Sequence, residues 1–117
     1  MKKIIYMSIF SSLLSFDECN NNNERIYSNT PEFIVIEKKM SFKKEDANKI
    51  YSEYLTKIFS KEDLIQIESN FWRVIYICKG NYYISYIHKL DKKGSQNGTM
   101  HYKAKINSNT GEISIVK

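Results

Sequence analysis

The chain has 117 residues and a formal charge of +5, from 18 Lys and Arg against 13 Asp and Glu. That length holds one domain with a core adequate for independent folding and excludes a second domain or a repeat array. Four glycines, two histidines and two cysteines leave little room for a glycine-rich phosphate loop, a cysteine-rich metal site or a dense disulfide framework.

The first stretch, "MKKIIYMSIFSSLLSFDEC", begins with Lys2 and Lys3 and continues with mostly apolar residues from Ile4 to Phe16. This is the build of a secretory leader, and it is too short to span a bilayer. Cys19 follows at once, then Asn20 to Asn23. The layout resembles a bacterial lipoprotein precursor, which implies acylation of Cys19 as the membrane anchor, although Asp17 and Glu18 stand where such precursors carry small residues. We therefore expect residues 1–19 to be a signal peptide or lipoprotein signal, 20–31 a polar tether, and 32–117 a single domain. Export places the chain in the cell envelope, membrane-anchored or periplasmic. With Cys19 lipidated or removed, Cys78 has no intramolecular partner. Removing residues 1–19 deletes two lysines and two acids, so the basic excess survives.

Beyond Pro31, "EFIVIEKK" reads as a short strand apolar on both faces, a pattern that a helix also satisfies. Ala47, Ile50, Tyr51, Tyr54, Leu55, Ile58 and Phe59 recur at helical spacing. They predict an amphipathic helix over 42–59 with Ser41 as N-cap and Glu45 and Asp46 in the first turn. After a turn at Ser60 to Asp63, "LIQIES" is assigned to a short strand. "FWRVIYICK" alternates Trp72, Val74, Tyr76 and Cys78 against Phe71, Arg73, Ile75 and Ile77; Gly80-Asn81 signals a turn, and "YYISYIHKL" returns antiparallel. After the polar loop "DKKGSQNGT", "MHYKAKIN" places Met100, Tyr102, Ala104 and Ile106 inward and His101, Lys103 and Lys105 outward. "SNTG" turns the chain into "EISIVK".

The fold class is α+β: one long helix packed on a curved antiparallel sheet of four to five strands, cystatin-like or nuclear-transport-factor-two-like. No Ser/His/Asp spacing and no paired carboxylates stand out, so no enzyme activity, cofactor or metal is expected. His88 and His101 lack a third ligand in a short motif, with Asp91 the nearest carboxylate, and Cys78 reads as a core residue. The basic residues are dispersed and only two are arginine, which argues against nucleic acid.

Nine tyrosines point instead to a contact surface, because tyrosine offers area and a hydroxyl at modest entropic cost. Tyr83, Tyr86, His101, Lys103 and Lys105 are the candidate partner contacts on the sheet. The strings "EDANKIYSEYL", "FWRVIY" and "YKAKINSNTGEISIVK" resemble two groups of small bacterial domains across about residues 41 to 117. These are immunity proteins of nuclear-transport-factor-two-like fold and PepSY-type domains, and the likeness rests on Ala47, Trp72, Val74, Ile106, Gly111 and Ile113, of which Trp72 and Val74 are expected to anchor the sheet to the helix. The first resemblance implies a protein that occludes a toxin; the second implies an inhibitor or chaperone of an exported peptidase. Neither brings a catalytic residue. A third class is a small-ligand-binding domain with an aromatic pocket between helix and sheet. The positive charge argues against a nuclease toxin as target, since nuclease surfaces are usually basic themselves.

Overall fold

The computed structural model describes residues 14–15, 19, 22–89 and 100–116; most of the leader-like segment and the 90–99 loop, with Asp91, lie outside them. In chain order the elements are β1 (Leu14–Ser15), a 3-10 turn (Asn22–Glu24), β2 (Ile26–Tyr27), α1 (Pro31–Glu37), α2 (Lys44–Ile58), α3 (Lys61–Asn70), β3 (Phe71–Cys78), β4 (Asn81–His88), β5 (Met100–Ile106) and β6 (Ile113–Val116). The sheet order is β1-β6-β5-β4-β3-β2. Every pairing is antiparallel except the two-residue β1, which runs parallel to β6. The class is α+β, with three helices where one was expected.

Two short segments differ from the sequence reading, each for a local reason. "PEFIVIE" is helical because Pro31 stands at the first helical position, where its fixed φ and missing N–H cost nothing. Phe33 alone of its apolar residues is buried, while Ile34 and Val35 are exposed. "KEDLIQIESN" is also helical: the Ser60 hydroxyl accepts a bond from the Asp63 backbone N–H at 3.1 Å, and Glu62 and Asp63 occupy the first turn. Helix α2 begins at Lys44 rather than 42, since the Lys43 N–H is held by the Asp46 carboxylate at 2.9 Å. The Lys43 ammonium meanwhile donates to the carbonyls of Glu37, Lys38 and Met40, satisfying groups that the end of α1 leaves open.

The long strands form a meander. Lys79 (φ 52) and Gly80 (φ 80) make the two-residue turn between β3 and β4, the both-positive geometry that matches strand twist; Asn81 already belongs to β4. Between β5 and β6, Gly111 adopts φ +78, and a Cβ there would lie 2.7 Å from Phe42 Cε2.

Alternation splits the side chains into two buried sets. Against the helices lie Ile77, Tyr82, Ile84, Tyr86, Ala104, Ile106 and Ile113, meeting Phe33, Ala47, Tyr51, Leu55 and Ile67. On the opposite face Tyr27, Tyr76, Tyr83 and Val116 gather with Cys19 and Cys78. Trp72 belongs to this second face, half exposed, and does not anchor the sheet to a helix. The register shifts between Ile84 and Tyr86 where β5 bulges, and Tyr102 takes φ 55 there. That extra residue breaks the expected period: His101 and Tyr102 both contact Phe71, while Met100 joins the opposite face. Among the described residues no helix is long and apolar enough to cross a membrane.

Candidate functional site

Arg73 is the single charged residue of β3 and points at the helices. Its side chain is 20% exposed, and all five of its N–H donors are used. Nε and Nη2 donate to the Tyr86 hydroxyl at 3.2 and 2.6 Å. Nη1 donates to Asn48 Oδ1 at 2.6 Å and Ser52 Oγ at 2.9 Å, both on α2. Nη2 also reaches Glu68 Oε2 on α3 at 3.2 Å, and the Tyr86 hydroxyl donates to that same carboxylate oxygen. The guanidinium carbon sits 5.1 Å from the Tyr51 ring centre and 5.3 Å from that of Tyr86. Burial, then the bond to Glu68, push the Tyr86 hydroxyl up to about 12; burial, then Tyr86, raise Tyr51.

A cleft of about 250 Å³ opens beside this cluster, lined by Ser28, Lys44, Glu45, Asn48, Arg73 and Ile75. It contains neither His88 nor Cys78 and no aromatic side chain, so it is not the aromatic pocket considered above. With five donors engaged, Arg73 has none left for a ligand. The cluster ties both long helices to the sheet.

The expected contact residues fall into two groups. Tyr83 and Tyr86 have no accessible surface: Tyr83 stacks on Tyr76 at 5.3 Å, and Tyr86 is the centre of the Arg73 cluster. Neither side chain offers surface to a partner in this conformation. His101, Lys103 and Lys105 are partly exposed. His101 and His88 flank Phe71 at 5.2 and 5.0 Å between ring centres; they meet a phenyl ring, not a shared ligand position. Cys19 is buried and joined to Cys78 in a disulfide, with 6.2 Å between their Cα atoms. A sulfur so bonded cannot also carry a lipid thioether, so disulfide and acylation are exclusive fates of one atom. The segment expected as a tether takes part in the sheet through β2, with Ile26 and Tyr27 opposite Ile77 and Tyr76.

Trp72 is not among the expected contact residues. It lies on the face away from the helices, 50% exposed, with the Lys89 ammonium 4.7 Å from its ring centre. Ile87, its partner on β4, is in turn opposite Met100 on β5. Lys105 is opposite Tyr83, and alternation with buried Ala104 and Ile106 puts Lys103 and Lys105 on this same face. Among the described strand positions of this face there is no carboxylate. Its strand positions carry Lys103 and Lys105, Lys89 lies over Trp72, and Arg25 lies over Tyr76.

No family model, curated protein or solved structure matches this chain.

Proposed function

We propose that this chain is an exported, disulfide-stapled domain that binds another protein, acting as an immunity-type inhibitor that occludes a toxin. The observation that carries the binding reading is half-exposed Trp72 under Lys89, on a face whose strand charges are Lys103 and Lys105. Large aromatics bounded by polar groups are the usual energetic centres of protein interfaces. The lysines select a partner with an acidic surface and steer its approach. Export is supported by the Cys19–Cys78 disulfide, because disulfides persist in oxidising compartments, and by the leader-like start, with cleavage ahead of Cys19 so that its sulfur stays in the chain. The non-catalytic reading is supported by Arg73, whose donors are all engaged within the fold.

The test is a crosslinked affinity purification of the full-length chain from its native cells, comparing wild type, Trp72→Ala and the double variant Lys103→Glu/Lys105→Glu. One stoichiometric envelope protein should accompany the wild type. Both variants should lose it by at least about tenfold, the lower range for an interface anchor. Equal recovery with all three chains would contradict the proposal.

A further inference from the structure

The disulfide lies beside a carboxylate. Glu24, in the 3-10 turn, brings a carboxylate oxygen to the two sulfurs so that all three atoms lie within 4.8 Å of one another. The only ion pair of this carboxylate among the described residues is a 3.9 Å contact with Lys79, and both side chains are about half exposed. Such a pair holds it weakly.

The two cysteines are brought together by more than the S–S bond. Cys78 ends β3 opposite Asn81, fixed by the hairpin. Arg25 Nε donates to the Cys19 carbonyl at 2.9 Å, and the same guanidinium donates to the Tyr27 hydroxyl at 3.3 Å and lies 4.9 Å from the Tyr76 ring centre. β2, immediately after Arg25, is paired with β3. Reduction by a dithiol breaks the S–S bond, which takes up two electrons and two protons, and leaves two thiols held at the same place. Tetrahedral zinc with Zn–S bonds of about 2.3 Å sets its sulfur ligands about 3.8 Å apart, so the two sulfurs must separate from bonding distance, a movement that side-chain rotation on Cα atoms 6.2 Å apart supplies.

We propose that the reduced chain, as it exists before the disulfide forms, binds one thiophilic divalent cation through Cys19 Sγ, Cys78 Sγ and the Glu24 carboxylate, with a water as the fourth ligand. Binding displaces Lys79 from Glu24 and releases the two thiol protons, since the thiolates are the ligands. Metal and disulfide are alternatives at one position, and each ties residue 19 to the end of β3. A disulfide oxidant, by thiol–disulfide exchange, takes two electrons from the thiolate pair and is itself reduced to thiols, which re-forms the S–S bond and expels the cation.

The test titrates zinc into the full-length chain, reduced with a phosphine and freed of metal without oxygen, against a chromogenic chelator; cobalt then serves as a spectroscopic substitute. Reduced wild type should take up one zinc per chain and give the intense thiolate-to-cobalt absorption, and the oxidised chain should do neither. Glu24→Gln, an exposed change that leaves both cysteines in place, should weaken zinc by at least about tenfold, the lower range for loss of a partner in a metal site. Cys78→Ser, which leaves one thiolate, should weaken zinc by at least about tenfold and diminish the cobalt charge-transfer band. The proposal is overturned if reduced wild type takes up no zinc, if Cys78→Ser binds as tightly as wild type, or if Glu24→Gln leaves the affinity unchanged.

Discussion

Arg73 and Tyr86 are register partners on adjacent antiparallel strands, and the guanidinium holds the tyrosine hydroxyl from two nitrogens, at 3.2 and 2.6 Å. Through that hydroxyl and Glu68 it reaches α3, and through Asn48 and Ser52 it reaches α2. One side chain thus links both long helices to the sheet through polar bonds, beside the apolar core that packs them there.

Arg73→Lys should therefore be a poor replacement. A single ammonium cannot reproduce the planar five-donor fork, and acceptors on α2 and β4 are left unmatched. A loss of about 1–3 kcal/mol is expected, measured by urea denaturation of the full-length chain. An Arg73→Lys chain as stable as wild type would show that the cluster contributes little.

Tyr86 also sets a pH limit. Its hydroxyl is held up to about 12, by burial first, so the folded chain keeps this proton through a range where the unfolded chain, near 10, loses it. The associated stability is complete below pH 10 and is lost as pH rises from about 10 to about 12. Tyr86→Phe should lessen the alkaline fall in the denaturation midpoint across that window, leaving the part that Tyr51 and Tyr82, also raised by burial, contribute.

The two positive-φ glycines should respond differently to alanine. At Gly80 a Cβ meets nothing within 4 Å, so Gly80→Ala costs only the left-handed backbone, about 1 kcal/mol. At Gly111 the Cβ would lie 2.7 and 2.8 Å from two Phe42 ring atoms, and the ring packs on the core. Gly111→Ala should cost about 2–3 kcal/mol; thermal denaturation of both variants ranks them.

Much of this fold was legible because periodicity is a direct imprint of burial. The alternation of β3 and the three- and four-residue spacing of Ala47, Tyr51 and Leu55 identify β3 and α2. The same alternation does not say which set of side chains faces the helices, and Trp72 was assigned to the wrong one. A lone arginine among Phe71, Ile75 and Ile77 needs polar partners from another layer, which was the available signal for an Arg73 cluster. Two helices were missed where the decisive cue is a single position: Pro31 opens α1, and Ser60 caps α3 three residues before Asp63. The β5 bulge has no sequence mark, since it places a tyrosine at φ 55, where glycine is the usual occupant. The Tyr51 hydroxyl, donating to the Tyr102 carbonyl at 2.7 Å, helps hold that conformation.

Reducing the disulfide in the absence of metal should lower stability. The cysteines are 59 residues apart in sequence, and opening so long a loop costs about 4 kcal/mol in the chain-entropy account. Urea denaturation with and without a phosphine measures the difference. An unchanged midpoint would mean that the staple is energetically idle.

Binding of a protein by the Trp72 face is tested most directly by a photo-crosslinker placed at that position in native cells. With benzoylphenylalanine at position 72, one defined protein adduct should form, its crosslinked peptide rich in Asp and Glu; benzoylphenylalanine at exposed Ile34 on α1 should not give that adduct. If position 72 yields only lipid adducts or none, or if position 34 gives the same protein with equal yield, the Trp72 face is not the binding surface.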